Sequence, residues 1–341
     1  MTPDLITGAT GFIGRHLARR LIEQGRPLRL LCRRGSEAKL PEEVRANVEI
    51  VHVDLAALSR ADERERLNHS VRGISRVFHC AGHVSDWGSE RQFHGLNVEA
   101  TRALLDACAQ DDSGAPAIQR FVHLSSIAAF GTPSPPYFDD ETPLGHGRDA
   151  YSRTKAEGES VAFAYHCERR LPVTVIRPAV VYGLDGSWLE EPLRMIESGK
   201  MFLLGGGRGT CHPCYIENLV DAILLAAEHS RSIGQAYIVG DDDPVSFRDY
   251  FDSLAWIVGK DPIRRSIPLF AARAMAGGFE LGARLVHSSR RPLLTRAALD
   301  MVSTQSTMSM KKIREELGFK PRYSFRAAIS ELREGYRGRL G

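Results

Sequence analysis

The chain has 341 residues and carries 45 Lys plus Arg against 42 Asp plus Glu, a formal net charge of +3, so nothing in it builds the strong field that nucleic acid or an acidic partner needs. Its length allows a large core in one big or two modest domains, and its six scattered cysteines, mostly in apolar surroundings, read as reduced usage rather than a disulfide framework. No run reaches the roughly 18 apolar residues of a spanning helix, and the chain enters its first strand with no signal peptide ahead of it, so a soluble, cytoplasmic protein is expected.

The opening stretch Leu5-Ile6-Thr7-Gly8-Ala9-Thr10-Gly11-Phe12-Ile13-Gly14 leads from a short apolar strand into three glycines spaced three apart. Beyond it Ile13, Leu17 and Leu21 recur every four residues, with Ala18 and Ile22 beside them. This predicts a helix with one apolar face from Phe12 to just before Gly25. In such a strand–turn–helix Gly8 permits the tight turn, Gly11 lets a pyrophosphate approach the backbone and Gly14 lets helix and strand pack closely. The N–H groups of Thr10, Phe12 and Ile13 then face the phosphates, aided by the positive end of the helix dipole.

Leu28 to Cys32 reads as the second strand, ending at Arg33-Arg34. A unit built for NAD places an acidic residue about 20 positions past the glycines to hold the ribose 2′-hydroxyl. Here two guanidiniums occupy that strand end instead, and they suit a 2′-phosphate through planar, charge-assisted hydrogen bonds. NADP(H) is therefore expected, with NAD the less favoured cofactor. Val48 to Val53, followed by Asp54-Leu55, is the third strand. Arg76 to Gly82 is the fourth, ending in small residues, and Arg120 to Leu124 is the fifth, ending in Ser125-Ser126. Val173 to Ile176, ending in Arg177-Pro178, is the sixth. Helical patterns separate the strands, notably Phe93 to Cys108 and Tyr151 to about Cys167. Such alternation means an α/β fold with a parallel sheet covered on both faces, its functional residues collecting beyond the carboxyl ends of the strands.

Tyr151-Ser152-Arg153-Thr154-Lys155 carries the catalytic signal. A spacing of four puts Tyr151 and Lys155 on one helix face. A free phenol has a pKa near about 10, and a nearby ammonium lowers it, which makes the pair a tuned acid/base. Ser126, at a strand end, can donate a hydrogen bond to the same substrate oxygen, with Ser125 as the alternative.

Gly8-x-x-Gly11-x-x-Gly14, Asp54-Leu55, Asn97-Val98, Ser126, Tyr151-x-x-x-Lys155 and the run from Arg177 to Gly183 together resemble the extended short-chain dehydrogenase/reductase superfamily, continuously over about the first 240 residues. The resemblance implies a Rossmann-type doubly wound parallel sheet with a smaller, mostly helical C-terminal substrate-binding region. Residues 1–180 and about 215–240 would form the NADP-binding domain, and the rest of 181–341 the substrate-binding region. It also implies that Asp54 and Leu55 contact the adenine, Ala81 and Gly82 line the cofactor cleft, Lys155 also holds the nicotinamide ribose, and Pro178 and Val180 flank the nicotinamide. Asn97 takes either a proton-relay or a structural role. A homodimer through the helices around Asn97–Cys108 and Tyr151–Cys167 is expected on the same grounds.

Within the superfamily the chain is most similar to the 3β-hydroxysteroid dehydrogenase-like branch, including bacterial reductases of long-chain β-keto acids. The pointers are Val84-Ser85-Asp86-Trp87-Gly88, Tyr215-Ile216-Glu217-Asn218, Pro292 to Arg296 and Leu317 to Pro321. The competing branch, nucleotide-sugar epimerases and dehydratases, usually sets an arginine just before the Tyr215-like position to clamp a diphosphate. This chain has Thr210-Cys211-His212-Pro213-Cys214 there, which favours an apolar small-molecule substrate. The expected activity is interconversion of a ketone and a secondary alcohol. An epimerase or dehydratase with recycled cofactor and a non-catalytic NADP-binding regulator are the alternatives. Cys211 and Cys214 have no second pair at a spacing suited to zinc, so no metal is expected. The apolar, small-residue-rich stretch at 264–302 reads either as amphipathic helices packed on the body, or as a lid or membrane-touching surface that admits a lipophilic substrate.

Overall fold

The computed structural model describes residues 2–109, 118–145, 147–286, 288 and 290–340. Its centre is a seven-stranded parallel sheet. The strands are β1 (Asp4–Thr7), β2 (Leu28–Cys32), β3 (Glu49–His52), β4 (Arg76–His79), β5 (Arg120–Leu124), β6 (Val173–Pro178) and β7 (Gln235–Val239). They lie in the order β7-β6-β5-β4-β1-β2-β3. The chain starts in the middle, winds outward to β3, then returns to β4 and winds the other way. That reversal places a crevice above the carboxyl ends of β1 and β4.

Successive side chains of a strand point to opposite faces, and both faces are apolar here. Ile6, Phe78, Val122 and Ile176 face one core with Leu17 and Leu21 of α1 (Phe12–Glu23). Leu5, Val77, Phe121 and Val173 face the other with Leu67 of α2 (Ala61–Ser70). A fully buried side chain of this size contributes about 1.5–3 kcal/mol. The amino ends of the strands carry charge instead. Asp4 is buried and accepts Nη2 of Arg76 at 2.6 Å and Nη2 of Arg26 at 3.1 Å.

Between β4 and β5 the helix expected over Phe93 to Cys108 comes in three pieces: α3 (Glu90–His94), a π-helical turn Gly95–Glu99, and α4 (Ala100–Ala109). Ser89 caps α3 in a reciprocal capping box with Gln92. Helix α5 (Ala150–Arg169) follows β5 and packs on that π-turn at Gly158, where a Cβ would come 2.4 Å from the Asn97 carbonyl oxygen. Two elements complete this half from further along the chain: α7 (Ile216–Glu228) packs against α1, and β7 extends the sheet past β6.

Besides a single turn at Glu42–Arg45, the remaining α-helices among the described residues are α6 (Ser187–Glu197), α8 (Phe247–Ile257), α9 (Leu269–Leu285), α10 (Arg296–Ser303), α11 (Lys311–Leu317) and α12 (Phe325–Leu340). Most join the core through aromatics: Tyr182 meets Tyr250 edge-on at 5.9 Å, and Tyr250 stacks on Phe325 at 5.9 Å. Buried Asp241 gathers the family motif around Tyr215, accepting from the Tyr215 N–H, Asn218 Nδ2 and the Tyr182 hydroxyl, each at 2.8 Å. Helix α9 is the exception, with only Ala272 and Ala276 buried. No helix among the described residues is long and apolar enough to cross a membrane.

Candidate active site

The glycine turn is shaped by close approach. Gly8 adopts φ +68°, and a Cβ there would lie 2.6 Å from the Ala81 N–H nitrogen, so the turns after β1 and β4 touch. A Cβ on Gly14 would lie 2.4 Å from the Gly8 carbonyl oxygen, which is how α1 seats itself on the strand end. Exposed Gly11 is the N-cap of α1, with no side-chain hydrogen bond to the helix start. The first-turn N–H groups, beginning at Phe12 and Ile13, are thus left without a side-chain acceptor. That is the donor set a pyrophosphate takes up, and a dinucleotide fits these residues.

Around this turn the other expected cofactor residues line up along the carboxyl edge. Thr7 Oγ1 accepts the Ala81 N–H at 3.2 Å. The Gly82 backbone faces the Lys155 ammonium, which would be 3.3 Å from a Cβ at that position. Asp54 turns one carboxylate oxygen to the Ala56 N–H at 3.0 Å, and Leu55 packs into the core beside it. Arg33 and Arg34 are exposed just past β2. Pro178 ends β6, and buried Val180 donates its N–H to the His212 carbonyl at 2.9 Å.

Ser126 lies two residues past β5, half-buried, with its hydroxyl accepting the Ala128 N–H at 3.1 Å. Tyr151, half-buried in the first turn of α5, faces it. Burial raises the pKa of the Tyr151 phenol, the Ser126 hydroxyl opposes that rise, and Asp149 adds to it. Lys155 is one turn further on and buried. Its Nζ donates to the Leu124 carbonyl at 2.8 Å. Burial pulls its pKa down to about 8 against the pull of Cys80 and Glu159. The lysine-driven lowering of the tyrosine that the four-residue spacing suggests is thus not what this arrangement produces. Burial governs the phenol, and the ammonium is turned toward a main-chain carbonyl.

Asn97 makes three side-chain hydrogen bonds beside these groups. Within the π-turn its Oδ1 accepts the His83 N–H at 2.7 Å, while Nδ2 donates to the His83 carbonyl at 3.2 Å and to Thr154 Oγ1 at 3.0 Å. It thereby ties the segment after β4 to α5 between Tyr151 and Lys155. Arg177 holds the same helix from the other side, donating Nε to both oxygens of buried Glu159 at 3.1 Å and Nη1 to the Asp140 carbonyl at 2.9 Å. Below Lys155 lies a pair of buried histidines. His79 bonds Thr7 Oγ1 at 2.7 Å and Thr101 Oγ1 at 2.9 Å, and the His123 ring stands 5.5 Å from it. Cys211 and Cys214 face the core, and burial raises both thiol pKa values well above the ordinary range.

One long-range pairing beside this region is not announced by any local pattern in the sequence. Asp86 takes a two-pronged ion pair from Arg291, with Nη2 at 2.7 Å, and a hydrogen bond from Thr295 Oγ1 at 2.6 Å. Burial pushes its carboxyl pKa up, but Arg291 and Thr295 hold it below the usual carboxylate range. The Trp87 indole donates to the Ser288 carbonyl at 3.2 Å. The segment after α9 is thus fastened to the segment after β4.

Fold and site together define an NAD(P)-dependent dehydrogenase/reductase of the extended short-chain type. Residues 5–240 match the NAD dependent epimerase/dehydratase family, and the chain belongs to it. It is 30% identical, over 96% of its length and 95% of the relative's, to the 4-hydroxy-2-methyl-3-oxo-4-farnesyl-3,4-dihydroquinoline-1-oxide ketoreductase of Stigmatella aurantiaca. It is 27% identical to a 2-alkyl-3-oxoalkanoate reductase of Stenotrophomonas maltophilia, over 96% of this chain and 98% of that one. In fold it is similar to DesIV, a dTDP-glucose 4,6-dehydratase from Streptomyces venezuelae solved with NAD, at a TM-score of 0.78 and 21% identity over 98% and 97% of the two chains.

Proposed function

We propose that the chain is an NADP(H)-dependent oxidoreductase that interconverts a ketone and a secondary alcohol on a largely apolar substrate, of the hydroxysteroid or long-chain β-keto/β-hydroxy kind. The observation that carries this reading is the meeting of Ser126 and Tyr151 at the carboxyl edge of the sheet, beside the open start of α1. When bound, the dihydronicotinamide supplies the hydride. In the reducing direction Ser126 donates a hydrogen bond to the substrate oxygen, and Tyr151 passes its proton to that oxygen as the carbonyl carbon gains the hydride. A phenol is protonated at neutral pH, so Tyr151 carries the proton this step needs. Lys155, anchored on Leu124, presents its ammonium toward Gly82 in the cofactor cleft, and Asn97 fixes the segment that borders it.

The names of the two relatives support a ketone as the reacting group, and the lack of an arginine between Arg208 and Tyr215 supports a substrate without a diphosphate. Arg33 and Arg34 support NADPH. Arg33→Ala should weaken NADPH by about tenfold and leave NADH nearly unchanged, read by cofactor titration; equal losses would remove the 2′-phosphate assignment. The activity itself is tested by following NADPH consumption with long-chain 3-oxoacyl compounds, 3-ketosteroids and nucleotide sugars. Oxidation of NADPH with the first or second class supports the reading. Turnover confined to nucleotide sugars, without net change in the cofactor, overturns it.

A further inference from the structure

Helix α9 presents its apolar side chains to the outside. Phe270 is 79% exposed, Leu281 60%, Leu285 72% and Val286 74%, and Leu293 beyond the helix is 67% exposed. Phe270, Ala274, Leu281 and Leu285 follow one another at helical spacing and form a single stripe. The helix is held to the body mainly by a small cluster of Ala272, Ala276, Leu294 and Leu299 on its other side.

Charge along the stripe has one sign. At 100° per residue, Arg273 and Arg284 both fall on one edge of it, and both are exposed, as is Arg290 after the helix. Glu280, the helix's one carboxylate, is turned inward, accepting the Arg296 N–H at 2.6 Å and lying 3.7 Å from that residue's Nε. Arg291 is committed to Asp86. The outward face therefore combines an apolar stripe with guanidiniums that have no carboxylate partner among the described residues, and a second copy packing antiparallel on it about a two-fold axis would set arginines against arginines. An anionic lipid surface matches both features, since the apolar side chains enter the acyl boundary while the arginines reach the phosphates.

We propose that α9, with Val286 and Leu293, docks the protein on an anionic membrane surface. The inference rests on the reading of an apolar substrate for its purpose: the docked segment is fastened through Asp86 and Trp87 to the residues after β4. These lead to His83, which Asn97 holds beside α5. A lipophilic ketone collected from the bilayer would thus enter next to Tyr151.

The test is sedimentation of the full chain, without cofactor or substrate, with vesicles of phosphatidylcholine alone and of phosphatidylcholine mixed in equal parts with phosphatidylglycerol. The chain should sediment with the anionic vesicles, be released by added salt, and stay in solution with the neutral ones. Leu281→Glu with Leu285→Glu should abolish binding. Arg273→Gln with Arg284→Gln should lower it by about thirtyfold, with circular dichroism checking the fold of both variants. No retention on anionic vesicles, equal retention on both, or binding unchanged in the arginine variant overturns the proposal. So does a concentration-dependent dimer that the leucine substitutions dissolve in place of vesicle binding. Because no turnover is involved, failure here leaves the oxidoreductase reading standing, and vesicle binding without ketone reduction would remove that reading alone.

Discussion

In the sheet, β1 buries all four of its residues, whereas α9 buries two of its seventeen. The first is held by two continuous apolar cores. The second leans on a four-residue cluster and is completed by the polar fastening at Asp86. The contrast separates two kinds of physical requirement. Hydride transfer needs groups fixed to fractions of an ångström, and here Ser126 follows the end of the fully buried β5, while Tyr151 and Lys155 sit on α5, which packs on the turn just after it. Helix α9 carries no such demand, and it is attached lightly, through a small apolar cluster and a segment fastened by charge.

Substitutions in the two regions should behave accordingly. The largest effect belongs to Tyr151→Phe, which removes the proton donor and leaves the ring. Turnover should fall by about 10²–10⁴-fold with thermal unfolding unchanged; a variant that keeps most of its turnover would take Tyr151 out of the mechanism. Asp86→Ala breaks the fastening rather than the chemistry. It leaves Arg291 half-exposed without a partner, so KM for an apolar substrate should rise severalfold while the global unfolding transition moves by about 1 kcal/mol. Loss of cooperative unfolding would mean that the two regions are not energetically distinct.

The smallest effect is one of pH and belongs to the sheet alone. Burial holds His79 neutral, its pKa lowered to about 3 with a further push from Lys155. It also holds the His123 pKa well below the ordinary value, with His79 and Lys155 adding to the effect. A histidine whose folded pKa is depressed takes up its proton more readily when unfolded, so its contribution is complete above about pH 6.5 and is lost as the pH falls from there. Denaturant midpoints should therefore drop steadily between about pH 6.5 and 4. His123→Leu should flatten that slope, and an unaltered slope would show that other groups set it.

The two regions were also unequally legible. The glycine spacing, the strand ends and Tyr151-x-x-x-Lys155 are local patterns, and the structure forms a tight turn at Gly8, a parallel sheet and a helix carrying Tyr151 and Lys155 one turn apart. The π-turn at Gly95–Glu99 left no trace, because apolar periodicity does not report an i→i+5 hydrogen bond. That turn is what positions Asn97. The direction of the Tyr151 pKa shift was not legible either, since spacing says that an ammonium is near but not that Leu124 claims it. Asp86 stood out only as part of a family motif. Its partners lie 205 and 209 residues away, a separation across which no sequence pattern pairs a carboxylate with its arginine. The stretch at 264–302 was read as ordinary packing or as a lid or membrane-touching surface. Apart from residues 287 and 289, which lie outside the described residues, it holds a short strand, α9, an irregular segment and most of α10, and it leaves Phe270, Leu281 and Leu285 of α9 exposed.

The proposed function turns on Ser126 and Tyr151 serving a net hydride transfer to a carbonyl carbon. It is tested most directly with NADPH deuterated at the transferring C4 position and a long-chain 3-oxoacyl substrate, reading the product alcohol by mass spectrometry. One deuterium on the carbinol carbon and a matching quantity of NADP are expected. Product without deuterium, or a cofactor returned in its original redox state after turnover, would contradict it.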